Sequence, residues 1–367
     1  MSLEIKSSVR AALRYFLKPT YNHAADIRDA RRILKIIESY KGKVGSHELS
    51  LCDDYAVEVL GHKHFAPWLY VYTAVSGKFK EGWIPENYYG SVVVPKLQGR
   101  YGRVADLRGL NAVMLQSTAF PDLLAYANGV FFDTAYRFIA PDAVRDRLFR
   151  SHEQVVFKLD HSLQGKGIHF FSRDSFSVEK IRHLGNGLFQ SAVQPHRLFA
   201  EFANHSVATI RITTVYKDNG EVSVRACHLR LGSGDETHVQ SRTEIRVPIH
   251  LESGVFQDVG YTAEYREIMT HPTSQVAFAG HVIPAFKACV RTVTELHRKA
   301  PYTRCIGWDV TVDRDENIQV LEWNAEHNGI KFSEATQGPC FADLGWARLG
   351  DHVNRCVNGV QAAALSA

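Results

Sequence analysis

The residues best suited to chemistry lie in IGWDVTVDRDENIQVLEWN, residues 306–324. Apolar residues alternate on either side of the polar DRDEN, the pattern of a hairpin. Along the second strand, period-two alternation predicts Val320, Glu322 and Asn324 on one face and Leu321 and Trp323 on the other. Folding the turn back brings Asp309 beside them, so Asp309, Glu322 and Asn324 can converge on one cation. Magnesium takes such hard oxygens, with phosphate and water completing its shell. The alternative is a polar strand face that binds nothing.

A second segment is VVFKLDHSLQGKGIHFF, residues 155–171. Lys158 interrupts an apolar strand, where an unpaired ammonium is costly to bury, so it calls for an anion. Gly165, Lys166 and Gly167 follow in a loop whose bare backbone can approach phosphate oxygens and donate N–H groups. The spacing is not that of a Walker A loop, and a plain hairpin loop is the commoner origin of a G-x-G. In the third segment, SVATIRITTVY, Thr209, Arg211 and Thr213 share one strand face. Arg211 is either a salt-bridge partner or, with an anion in front of it, a two-pronged phosphate clamp.

These segments need elements to hold them. Residues 5–41 read as helices broken at KPTYNH. Between Leu51 and Gly99, the runs Trp68–Tyr72 and Ser91–Val94 read as strands of a small α/β unit. A short helix over 141–149, strands at 155–159 and 168–171, a helix over 178–184 and a strand near 190–193 make an α+β lobe. Strands at 208–216, 222–231 and 244–249, a helix over 282–299 and the hairpin make a second. No internal repeat or low-complexity linker interrupts this order.

The 367 residues, 45% hydrophobic and 22% charged, suffice for two or three packed units. Lys and Arg number 43 against 39 Asp and Glu, a net charge of +4 that argues against a dedicated nucleic-acid binder. The six cysteines show no metal-binding spacing and read as thiols of a reducing compartment. Without a signal-like N-terminus or a membrane-length apolar run, the expectation is a cytoplasmic protein.

A strand lysine with a glycine loop, an inward arginine strand, then D and E-x-N on a hairpin, in this order, resemble the ATP-grasp superfamily. The match is closer to its branch associated with sugar transfer and surface-polysaccharide genes. The matching stretches here are VFKLD, VATIRITT, IGWDV and LEWN. The resemblance implies an α+β ATP-grasp architecture. A helical and α/β region over 1–105 would precede a lid lobe over 106–205 and a catalytic lobe over 206–367. It implies an ATP- and Mg2+-dependent ligase that activates a small-molecule carboxylate as an acyl phosphate and joins it to an amine. A kinase or a non-catalytic nucleotide binder on the same scaffold are the alternatives.

By matched position, Lys158 would contact nucleotide phosphates, with Gly165, Lys166 and Gly167 closing over them, and Arg211 would hold the γ-phosphate or acyl phosphate. Asp309, Glu322 and Asn324 would ligate magnesium. Gln194, in the linker AVQP, would meet the adenine edge, and Glu201 the ribose hydroxyls. The family's upstream Asp-Lys pair is replaced by Asp106-Leu107-Arg108, which makes Arg108 the expected substitute. Residues 237–246 and the stretch EHNGIKFSEATQG would shape the acceptor pocket. On this reading ligand phosphates, rather than the fold, pair Lys158 and Arg211, and without a cation the clustered carboxylates repel each other.

Overall fold

The structure, a computed structural model, describes residues 22–160, 167–202, 207–234 and 243–350. Its first part is helical. Helix α1 (His23–Lys41) starts at Asn22, whose side chain accepts from the Ala25 N–H, and buries Ala30, Ile33 and Ile37 along one stripe. Helix α2 (Ser46–Glu58) follows, and α3 (Ala66–Ser76) packs against both.

Two sequence expectations fail in this region. Trp68–Tyr72 is not a strand but the middle of α3, which begins with Pro67 in its first turn and stops at Gly77, a glycine with φ 84°. Ser91–Val94 lies in a π-helical turn, Tyr89–Val93, that runs into the helical turn Val94–Leu97. Nine of the eleven residues of α3 are buried, so it has no polar face, and an apolar run without periodicity looks like a buried strand. The expected α/β unit is therefore a helical layer.

A six-stranded antiparallel sheet follows, in the order β3-β2-β1-β6-β4-β5. Its strands are β1 (Asp122–Ala127), β2 (Val130–Asp133), β3 (Phe138–Ile139), β4 (Gln154–Leu159), β5 (Ile168–Ser172) and β6 (Gly187–Ser191). One face buries Val155, Phe157, Phe171 and Phe189 with Ile181 of α4 (Val178–Leu184).

After α5 (Arg197–Phe202) comes a seven-stranded antiparallel sheet, ordered β11-β10-β9-β8-β7-β12-β13. Its strands are β7 (Thr209–Tyr216), β8 (Val222–Leu231), β9 (Ile245–Pro248), β10 (Gly260–Tyr261), β11 (Glu267–Ile268), β12 (Cys305–Val312) and β13 (Ile318–Asn324). Helix α6 (Phe286–Lys299) lays Cys289, Val293 and Leu296 into one core with Ile210, Ile212, Leu229, Val247, Trp308 and Val310 of this sheet. Burying such side chains stabilises the lobe by about 1.5–3 kcal/mol each. The opposite face has two covers. Val215, Cys305 and Tyr261 join the core of the helical layer, together with Phe332 of α7 (Lys331–Gln337). The rest of that face carries polar residues toward the six-stranded sheet.

Within the hairpin, Asp309 stands opposite Glu322 and Val310 opposite Val320, so Leu321 is an extra residue, a β-bulge. This corrects the alternation expected from the sequence. Val320 and Trp323 both enter the α6 core, while Glu322 and Asn324 alone share the polar face.

Candidate functional site

The two sheets meet at the bulge. Lys158, on the face of β4 away from its own core, donates to the Leu321 carbonyl at 3.0 Å, and the Gln190 side chain of β6 approaches the same oxygen at 3.4 Å. Gln190 also donates to Asp122 at 2.7 Å, and Asp122 lies 3.4 Å from the Asn111 amide, whose oxygen accepts from the Trp323 indole at 2.9 Å. A bulge frees a backbone group from the ladder, and here that carbonyl ties the first sheet to the second.

Arg108, outside both sheets in a short 3-10 turn, completes this junction. Its Nε donates to the Leu159 carbonyl and its Nη1 to Glu322 Oε2, both at 3.1 Å. Its backbone N–H donates to Asp160 at 3.1 Å. Arg108, Lys158 and Glu322 thus stand together at this junction.

Burial drives the acid–base properties of this junction. It pulls Lys158 down to about 8, against the pull of Glu322 and with the help of Arg108. Burial likewise raises Asp122 to about 6, an effect that its bonds to Gln190 and Asn111 only partly offset.

Arg211 and Asp309 form a bidentate ion pair, with contacts of 2.6 and 2.9 Å, and Arg211 also donates to the Asn328 carbonyl at 2.9 Å. Arg230 approaches both oxygens of Asp309, at 3.3 and 3.4 Å. Burial alone would raise the Asp309 carboxyl, but the two guanidiniums outweigh it and hold it well below the usual carboxylate range. The fold itself therefore pairs Arg211, contrary to the expectation that its charge waits for a ligand. The two carboxylates, too, are each answered by a guanidinium rather than left to repel each other.

Asp309 and Glu322 are direct cross-strand partners, as are Gly307 and Asn324. Asn324 turns its NH2 toward the Gly307 carbonyl, at 3.2 Å, and Asp309, at 3.5 Å, so its oxygen does not join theirs here. Among the described residues no group of three or more His, Cys, Asp or Glu forms a metal cage. Two carboxylates and an amide that can turn its oxygen in still fit a magnesium ion that draws its other ligands from phosphates and water.

The remaining expected residues are more dispersed. Gly167 is buried at the start of β5, its carbonyl accepting from the Leu159 N–H at 2.9 Å, whereas Gly165 and Lys166 lie outside the described residues. Gln194 is exposed, and its carbonyl accepts from the Arg314 N–H in the hairpin turn. Glu201 is exposed on α5, with its carboxylate 3.9 Å from His281. Of the acceptor segment 237–246, residues 237–242 lie outside the described residues. Sequence reasoning missed Asp122, Gln190 and Asn111. Asp122 at a strand start and Gln190 within an apolar strand were the available signals, but the contact of Gln190 with Leu321 depends on pairing between the sheets.

A family model described as sugar-transfer associated ATP-grasp matches residues 122–343, more than half of the chain. Similar solved structures include biotin carboxylase from Campylobacter jejuni, with 10% identity over 67% of this chain and 46% of that one and a TM-score of 0.42. An N5-carboxyaminoimidazole synthetase from Staphylococcus aureus complexed with ADP shows 9% identity over 67% and 52%, with a TM-score of 0.41. A D-alanine-D-alanine ligase from Coxiella burnetii shows 9% identity over 71% and 62%, with a TM-score of 0.36. This chain spans less than two thirds of the length of each of the three. A search among curated proteins finds no match. By the family match, which takes in both sheets, the chain belongs to the sugar-transfer associated ATP-grasp family.

Proposed function

We propose that this chain is an ATP- and magnesium-dependent ligase that activates a carboxylate as an acyl phosphate and joins it to an amine in a polysaccharide-related pathway. One observation supports this above the others: Lys158 and Arg108, brought by the first sheet and its approach, lie against the Leu321–Glu322 segment of the acidic hairpin at 3.0–3.1 Å. Two cations and an acidic hairpin enclose a junction between lobes, the setting in which phosphates are held and shielded from water.

Lys158 and Arg108 leave the Leu321 carbonyl and Glu322 to hold phosphate oxygens of ATP. Glu322, released from Arg108, would hold a magnesium ion together with Asp309 and Asn324. Magnesium, when bound there, neutralises phosphate charge. Arg211 keeps Asp309 oriented and presents its guanidinium to the transferring phosphoryl group. Gly165, Lys166 and Gly167 serve as the loop that covers the phosphates, while Gln194 and Glu201 serve the adenine and ribose. Positioning and charge stabilisation supply the catalysis, because the covalent chemistry belongs to ATP.

The test is ADP release over a panel of carboxylates, with hydroxylamine as a general amine. A ligase gives a hydroxamate in step with ADP. A kinase gives ADP and a phosphate ester without hydroxamate, and a nucleotide-binding scaffold gives neither.

A further inference from the structure

The polar face of the seven-stranded sheet continues past Asp309 into a second cluster. Direct cross-strand partners run from Glu322 to Asp309, Arg211 and His228, and in the next row Arg230 stands opposite Arg246. Opposed residues share a face, as do residues two apart on a strand, so His228, Arg230 and Arg246 look the same way as the acidic pair.

This cluster is buried and short of anions. His228 and Arg246 are 8% and 7% exposed. Three guanidiniums, those of Arg211, Arg230 and Arg246, face two carboxylates, Asp309 and Glu244. One positive charge is left over. Two buried polar atoms also have no hydrogen-bond partner, Arg246 Nε and His228 Nδ1, and Glu244 comes no closer to that Nε than 3.7 Å. Buried polar atoms are rarely left unbonded in a folded protein unless a ligand or water completes them.

The surroundings hold these groups in place. Arg246 Nη2 donates to the Ala263 carbonyl at 3.1 Å, and the guanidinium lies 4.3 Å from the Phe332 ring and 5.0 Å from that of Tyr265. Phe332 also meets the His228 ring edge-on at 4.8 Å.

We propose that His228, Arg230 and Arg246 form a subsite for a carboxylate that does not react, borne by one of the two substrates. Arg246 on β9 is three strands from Asp309 on β12, roughly 14 Å between backbones at the usual strand spacing. The reacting group belongs at the acidic pair, so an anion held by Arg246 anchors the far end of its molecule. A single carboxylate matches the single surplus charge, and guanidinium offers it a charged, planar set of donors. The bearer is then either a dicarboxylic acyl donor or an amine that is itself an amino acid.

This inference rests on the ligase reading, and calorimetry on the full chain separates the two. Magnesium with a non-hydrolysable ATP analogue is titrated first. Short dicarboxylates are then compared with monocarboxylates of equal length, and amino acids with their decarboxylated amines, each with and without the nucleotide. The expected result is a preference of about tenfold or more for the carboxylate-bearing member of one series, which names the substrate that bears it. Arg246→Gln and His228→Gln should each erase that preference while nucleotide affinity stays unchanged. If Arg246→Gln does not fold, Arg246→Lys keeps the charge but lacks Nε and should still reduce the preference. Equal binding within every matched pair, or a preference that survives these variants, overturns the subsite. Failure to bind nucleotide would instead strike the ligase reading, and the titrations without nucleotide would still score the subsite.

Discussion

Lys158 shows how burial and function pull on one residue. Burial lowers its ammonium to about 8 from an ordinary 10.5, so between those values the unfolded chain holds more protons than the folded one. Stability should therefore rise with pH across that window, with the full cost of the buried charge present below it. Phosphates favour the ammonium, so affinity for a nucleotide analogue should fall as pH rises above about 8, and binding near pH 8 should take up protons. Calorimetry in buffers of different ionisation enthalpy measures that uptake. Affinity flat from pH 7 to pH 9.5 would show that Lys158 does not meet the nucleotide. Glu322 makes the complementary case. Glu322→Gln should cut magnesium-dependent ADP release by orders of magnitude and weaken nucleotide binding much less. It should also lower the stability of the free protein by roughly 1 kcal/mol, because Arg108 loses its ionic partner. Denaturant melts and turnover check both halves, and near-normal turnover would remove Glu322 from the mechanism. Residue types and order made Lys158, Asp309 and Glu322 legible in the sequence. The guanidinium partners were not, since Arg108 and Glu322 are separated by over two hundred residues.

Among the elements, strands and amphipathic helices could be read because one of their faces is polar. Helix α3, buried all round, could not, nor could the bulge at Leu321, which leaves no mark on an apolar alternating run. The bulge matters more to the site. Its extra residue lets Val320 and Trp323 reach the core while Glu322 and Asn324 stay on the polar face, and it releases the carbonyl that receives Lys158. Deleting Leu321 would leave Val320 opposite Val310 and Glu322 opposite Asp309 in plain alternation, so both keep their faces, and would remove the carbonyl that Lys158 and Gln190 meet. The loss is that of one charged hydrogen bond, about 1.5–3 kcal/mol, rather than of core burial. The deletion should lower the melting temperature modestly and weaken nucleotide binding, because the two sheets lose their shared carbonyl. Nucleotide affinity unchanged by the deletion would mean that the junction does not depend on the bulge.

Over the whole molecule, the helical layer does more than precede two lobes. It covers the part of the seven-stranded sheet's face that carries Val215, Tyr261 and Cys305, and reaches the site through Tyr89, which donates at 2.9 Å to Asn328, the residue whose carbonyl holds Arg211. Glu334 of α7 fastens the same layer, accepting from the N–H groups of Ile84 and Cys340. Burial raises its carboxyl to about 7 from 4.5. The folded state then favours the protonated form, so this share of stability is complete below about 4.5 and lost as pH rises through about 7. Glu334→Gln should remove that pH dependence and cost about 1–3 kcal/mol where one backbone N–H loses its acceptor. Melts from pH 4 to pH 8 of both proteins measure the difference, and parallel curves would contradict it. No helix among the described residues is long and apolar enough to cross a membrane. Five described cysteines are free thiols.

The central claim is that the junction between the two sheets holds Mg-ATP. Its most direct measurement is calorimetric titration of the full chain with a non-hydrolysable ATP analogue, with and without magnesium, repeated on Lys158→Ala. The account expects magnesium-dependent binding to one site, weakened at least about tenfold in the variant, as the loss of a charged hydrogen bond would produce. No binding at millimolar nucleotide, or equal binding by a folded Lys158→Ala protein, would contradict it.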